Sequence, residues 1–394
     1  MRHMPGRAQR SSSEPDGAGR LLPGRLSSSA CYSTCRFNFT NFARRHAHAT
    51  WTGSGRGLKL LTESIARIVD SPECIVVDVG AATYSTDRAA ADYSDSLMLL
   101  EDTTHCMVHA LEMNPAKAAE LGAVARASAV TKTSAAERLV VHTVGAGAAA
   151  ARVDATAADA VGVQNTYSLG PALRGRRPVA LTSVDVVTLD DLYSEKIDGS
   201  WSRSLSYVKV DVEGHEPAVV RGMAALLGRR LVDIMSFEYA IFWDAEFVRL
   251  SHRDGSNAEH VHVSSAAARN DASAAARQDA NAHGPYDLSK LSQSLRDFQA
   301  SLHTRGYATY LIFGSDPSAG RDAPALVPIS GPLWDDWYEL CVHACQQGVC
   351  EHCWSDVIVL RPEAPAARRL LRRFRLRHVA PACYAPVQQL DMSC

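Results

Sequence analysis

Residues Tyr207–Gly222 read YVKVDVEGHEPAVVRG. Val208, Val210 and Val212 alternate with Lys209 and Asp211, which is the period of a β-strand. Glu213-Gly214-His215-Glu216 then crowds three ionisable groups into four residues where that strand would end. Pro217 suits the first turn of a following helix, and Glu216 just before it suits the positive helix end. Charges gathered at a strand end are costly to bury without a task. The bland alternative is a solvated capping loop.

The same rhythm recurs on both sides. Cys74–Val79 (CIVVDV) is a β-branched run ending in Gly80, after a helix-like Leu58–Val69. Met107–Leu111, Leu139–Val144, Val184–Val187 and Val232–Phe237 are further extended runs. Tyr307–Phe313 and Asp356–Leu360 are expected to close the sheet as an antiparallel pair. Strands alternating with helices predict βαβ units and a mostly parallel α/β sheet buried on both faces. Ligands of such sheets bind at the carboxyl ends of the strands, so the residues there carry the functional reading.

The turn after the first strand is Asp78-Val79-Gly80-Ala81-Ala82-Thr83-Tyr84. Small residues there let a ligand approach the backbone. The three glycines that cradle a pyrophosphate are absent, which argues against NAD or FAD. A cofactor without phosphate, such as S-adenosylmethionine, needs no such cradle. After the second strand, Glu112 in Ala110-Leu111-Glu112-Met113-Asn114-Pro115 is placed to accept hydrogen bonds from ribose hydroxyls. A helix cap or a surface carboxylate is the other reading of that acid.

Val-Lys-Val-Asp-Val-Glu-Gly-His-Glu (208–216), followed by Val-Val-Arg-Gly-Met (219–223), resembles the signature of the FkbM-type S-adenosylmethionine-dependent methyltransferases. Val187-Thr188-Leu189-Asp190-Asp191-Leu192 and Ile234-Met235-Ser236-Phe237-Glu238-Tyr239 are similar to the elements on either side of it. The Asp78 and Glu112 segments fall where the family has its cofactor motifs. The resemblance covers about 58–244 well and 295–361 loosely. It implies a Rossmann-like class I methyltransferase fold: a mostly parallel seven-stranded sheet with an antiparallel closing strand. It also implies methyl transfer to a hydroxyl of a small-molecule or glycan acceptor. Asp78, Gly80, Ala81, Glu112 and Asn114 would bind the cofactor, and Asp211, Glu213, His215 and Glu238 would be catalytic. Ala82 and Tyr84 depart from the family's first turn, so a degenerate, non-catalytic scaffold of the same fold is the rival expectation.

Methyl transfer to a hydroxyl needs an aligned acceptor oxygen and a group to take its proton. Among the candidates, His215 has the ordinary pKa best suited to that role near neutral pH. Asp211 with Glu238 would instead offer oxygen ligands to a divalent cation, which nothing else in the sequence supports.

Composition bounds the rest. The 394 residues carry a formal net charge of -2, which argues against a protein-wide grip on nucleic acid. No run of about 18 apolar residues predicts a membrane span. Residues 1–55 are Arg-rich and read as a disordered leader or targeting segment. Residues 56–365 form the methyltransferase-like domain, interrupted by a low-complexity insertion over 253–286, and 366–394 are a basic, cysteine-containing tail. The basic stretch Arg368–His378 is expected either to touch an anionic membrane surface or RNA, or to be a terminal helix with a solvated face. Ten cysteines, clustered towards the two ends, fit disulfides in a secretory, lumenal or organellar compartment rather than the cytoplasm. The group Cys341, Cys345, Cys350 and Cys353 is read as disulfides, a zinc site or free thiols. Trp334, Trp337 and Tyr338 are read as an acceptor pocket or as core.

Overall fold

The β-branched run ending at Gly80 is a strand at the centre of the molecule, β1 (Ile75–Val79), buried along its whole length. In the computed structural model, residues 33–42, 56–81, 94–129, 136–157, 167–168, 181–212, 214–240, 243, 294–313, 324–339, 354–376, 379 and 381–384 are described.

The main sheet contains β1, β2 (Met107–Leu111), β3 (Leu139–His142), β8 (Tyr207–Val210), β9 (Ile234–Ala240), β10 (Ala308–Phe313), β11 (Ala325–Pro328) and β12 (Trp354–Leu360). Its spatial order is β11-β10-β12-β9-β8-β1-β2-β3. The five strands β3, β2, β1, β8 and β9 run parallel, while β12 enters antiparallel between β9 and β10. The expected antiparallel pairing of the two last runs is therefore found. Eight strands replace the expected seven, because the four residues Ala-Leu-Val-Pro of β11 add an antiparallel edge to β10. A second sheet, absent from the sequence reading, is inserted between β3 and β8. It has the order β4-β7-β5-β6, from Gly145–Ala146, Leu181–Val187, Ala151–Ala157 and Tyr167–Ser168.

Residues 33–42 form helix α1. The other helices are α2 (Arg56–Val69), α3 (Asp95–Asp102), α4 (Pro115–Ala129), α5 (Leu189–Leu192), α6 (Glu216–Arg221), α7 (Ala224–Gly228), α8 (Leu295–Thr304) and α9 (Pro365–Phe374). Their starts follow local chemistry. Ser94, Thr188 and Ser294 cap α3, α5 and α8 by accepting from the backbone N–H three residues on, and proline occupies the first turn of α6 and α9. In α2, Leu61, Ile65 and Val69 recur every four residues and are buried.

The described residues of both terminal regions depart from the unstructured reading. Within the expected leader, α1 buries Phe39, which packs edge-on against Tyr384, and Cys35 is disulfide-bonded to Cys383. Within the expected tail, α9 turns Ala367, Leu370 and Phe374 into the core and its arginines outward, so its apolar residues serve packing. A second disulfide, Cys74–Cys106, joins the residues just before β1 and β2. Trp334 and Tyr338 are core. The four clustered cysteines, the 253–286 insertion and Ala82–Tyr84 lie outside the described residues.

Candidate active site

Parallel register brings three strand ends to one level. Val79 is paired with Leu111 on one side and with Val210 on the other, so Gly80, Glu112 and Asp211 leave neighbouring strands side by side. Gly80 adopts φ +84°, and a Cβ there would lie 1.8 Å from the Asp211 carbonyl oxygen. Its two hydrogens thus admit the chain leaving β8, so the side-chain direction of Gly80 is not left open for a ligand. The amides of Gly80 and Ala81 both donate to the Leu111 carbonyl at 3.0 Å, and the Asp211 amide donates to Val79. The turn is held by backbone bonds to both neighbours.

One face of these strands carries a buried ionic cluster. Asp78 and Lys209 are register partners on β1 and β8. The Lys209 ammonium lies 2.9 Å from Asp95, 3.0 Å from Asp211 and 3.9 Å from Asp78. Asp78 is almost fully buried and accepts from the Ser96 hydroxyl at 2.5 Å, while its Oδ1 has no hydrogen-bond partner among the described residues. Burial, opposed by Lys209 and reinforced by Asp95, pushes the Asp78 carboxyl up to about 6. Lys209 is desolvated too, but the carboxylates of Asp211, Asp95 and Asp78 together hold its pKa well above the ordinary value. The Asp211 side chain is the most open of the three, at 39% exposed.

Glu112 is buried beyond β2, and burial raises its pKa. One carboxylate oxygen accepts the Asn114 amide at 2.7 Å, and among the described residues no donor meets the other. The Asn114 side chain is committed elsewhere: its Oδ1 accepts from Ala116 and Lys117 and caps α4. Asn114 thus holds Glu112 through its backbone and starts the helix with its side chain. Below them His109 and His142 face each other with ring nitrogens 3.0 Å apart, both held neutral by burial. The His142 carbonyl accepts the Glu112 amide.

The loop after β8 folds around Glu216. Its Oε1 accepts the amides of Val212 and Gly214, and its Oε2 accepts the Trp243 indole N–H at 3.0 Å. Burial pushes its carboxyl up to about 7 against these donors. His215 precedes α6 without capping it, and burial lowers its pKa, so the imidazole is neutral at pH 7. Glu213 lies outside the described residues. Glu238 was expected just past its strand; it lies inside β9, because β12 pairs the strand out to Ala240 and sets Asp356 opposite Glu238.

Residues 78–268 match the methyltransferase FkbM domain family. The likeness to that domain covers just under half of the chain. Among solved structures the chain is similar to the methyltransferase FkbM from Methylobacillus flagellatus KT, at 15% identity and a TM-score of 0.28, over 56% of this chain and 53% of that one. The match thus spans about half the length of that protein, and at this level of likeness nothing is argued from it. A search of curated proteins finds no match.

In this region Asp78 near the end of β1, and Gly80, Ala81, Glu112, Asn114, Asp211 and His215 after their strands, lie at one end of the sheet. Lys209, Asp95 and Ser96 join them without having been singled out. The alternation Val-Lys-Val-Asp was the available signal for Lys209, since a lysine in a strand buried on both faces needs a carboxylate partner. No group of three or more metal-ligating side chains occurs among the described residues. Asp211, paired with Lys209, already has a cation. A groove of about 370 Å³ between α4 and β3, lined by Ala118, Gly122, Arg126 and Leu139, lies at the sheet edge, away from this cluster. None of the described helices is long and apolar enough to cross a membrane.

Proposed function

We propose that the region matching the FkbM domain is an S-adenosylmethionine-dependent O-methyltransferase acting on a hydroxyl of a small-molecule or glycan acceptor. The observation that carries the reading is the meeting of buried Asp78 and Glu112 with Asp211 at adjoining strand ends, with His215 in the loop that follows. The residues fit a cationic nucleoside. Glu112 keeps a carboxylate oxygen with no donor among the described residues, suited to ribose hydroxyls, and Asp78 Oδ1 is a buried acceptor with no hydrogen bond among them. When bound, the cofactor supplies an electrophilic methyl group on a positively charged sulfur. Asp78 and Asp211 give that end of the sheet a negative potential that favours a positive charge. His215, neutral at pH 7, is able to take the proton of an acceptor hydroxyl, and Asp211 to orient that hydroxyl.

Calorimetric titration of the full chain with S-adenosylmethionine and with its demethylated product tests the reading. Micromolar binding that Glu112→Ala weakens at least about tenfold is the expected result. A folded chain that binds neither compound would sink the enzyme and leave the scaffold reading, to which Ala82 and Tyr84 point. We further infer an oxidising compartment, because Cys35–Cys383 and Cys74–Cys106 would be reduced in the cytosol. Alkylation of intact cells before non-reducing electrophoresis checks this, and free thiols at these four positions would refute it.

A further inference from the structure

We propose that Lys209 is a positioning residue for methyl transfer, its buried ammonium serving as a counter-ion shared by Asp78 on the cofactor side and Asp211 on the acceptor side. The proposal rests on the methyltransferase reading above. Lys209 sits in the middle of the layer, 7% exposed, on a strand between β1 and β9. Its Nζ reaches Asp211 at 3.0 Å along its own strand, Asp95 at 2.9 Å on the first turn of α3, and Asp78 at 3.9 Å across to β1. No side chain of ordinary packing value is needed there. A methionine or leucine would fill the same volume without the cost of burying an ammonium.

The groups facing Asp78 come from each neighbouring element: Lys209 and Asp211 from β8, Asp95 and Ser96 from α3, and Glu112 beyond β2. With the three aspartates ionised, the cluster holds more negative than positive charge, and the ammonium offsets part of it beside Asp78. Moving charge on Lys209 therefore changes both ends of the site together. Removing the ammonium should make Asp78 harder to ionise. Neutralising Asp95, which competes for the same ammonium, should make it easier. A residue with only a packing role would not move the two in opposite directions.

The test follows the Asp78 carboxyl carbon by NMR in the ligand-free full chain, assigned by its loss in Asp78→Asn. Lys209→Met is expected to raise the titration midpoint by about one pH unit or more, and Asp95→Asn to lower it. Lys209→Arg is expected to stay near the parent. Midpoints that stay put, or that move the same way in both variants, would overturn the proposal. Should Lys209→Met fail to fold, Asp95→Asn decides alone, since an unmoved midpoint there is enough to reject it. In parallel, the acid limb of S-adenosylmethionine affinity is expected to move with the Asp78 midpoint in each variant. A limb that ignores the variants removes Lys209 from the cofactor side. Absence of cofactor binding in the parent chain defeats the methyltransferase reading instead, while the carbon titration still reports whether the counter-ion is shared.

Discussion

At the residue scale, Asp78 shows how position overrides chemistry. As an aspartate in CIVVDV it reads as the polar end of a strand; in the fold it is nearly solvent-free beside one ammonium and two other carboxylates. Its folded carboxyl, near 6, stands above the 3.8 of the unfolded chain, chiefly because burial disfavours the anion. The protonated form therefore favours folding. That contribution is complete below the unfolded value and disappears as the pH rises through about 6. Urea unfolding of the parent and of Asp78→Asn should show the parent losing on the order of 3 kcal/mol relative to the variant between about pH 4 and pH 8. A pH-independent difference would mean that Asp78 is solvated. Gly80 was legible as a turn glycine, but not its reason. The atom that excludes a Cβ is the Asp211 carbonyl, more than a hundred residues away in the chain.

At the element scale, two motifs that look like ligand signatures turn out to clamp each other. The Asp190 carboxylate of Leu-Asp-Asp-Leu accepts the amides of Ala225 and Leu226 at 2.8 and 2.9 Å, capping α7 from a distance. The Asp190 amide donates to the Gly222 carbonyl of Val-Val-Arg-Gly, and a Cβ on Gly222 would lie 2.1 Å from the Gly147 carbonyl. Asp190→Ala should lower stability by about 1–2 kcal/mol, since two helix-start amides lose their acceptor. It should leave cofactor affinity within about twofold, because no part of the cap faces the strand ends. Denaturant midpoints and calorimetry on one variant read both, and a large affinity loss would place the motif in the site. The second sheet escaped sequence reading for a plain reason. Ala151–Ala157 and Gly145–Ala146 are alanine- and glycine-rich, with little strand propensity, and become strands only by pairing with β7.

At the scale of the whole molecule, residues 33–42 meet residues 381–384. Helix α1 covers the core with Phe39 and is tied by Cys35–Cys383 across a separation of 348 residues. Arg36 and Thr40 of the same helix both bond to Asp335. Closing so long a loop restricts the unfolded chain by as much as about 6 kcal/mol in the chain-entropy account. Thiol reductant should therefore lower the melting temperature by several degrees, and Cys35→Ser should reproduce most of that loss. An unchanged melting temperature in both would show that α1 is held by packing alone. The sequence reading of this region as a leader followed composition, which cannot register a partner at the far end of the chain.

What the sequence by itself determined is everything carried by contiguous residues. Apolar alternation marked the strands of the parallel core, Pro217 marked a helix start, and the motif order put acids near the ends of β1, β2 and β8. Those signals survive because backbone propensity and side-chain period are local properties. Only the tertiary structure decided how these residues share their work. Register between β1 and β8, with the first turn of α3 beside them, made Asp78, Asp95 and Asp211 partners of one lysine. A helix start claimed the Asn114 side chain, and β12 drew Glu238 into β9. Each outcome depends on distances between chain segments far apart in sequence, and on the burial that makes an unpaired charge costly there.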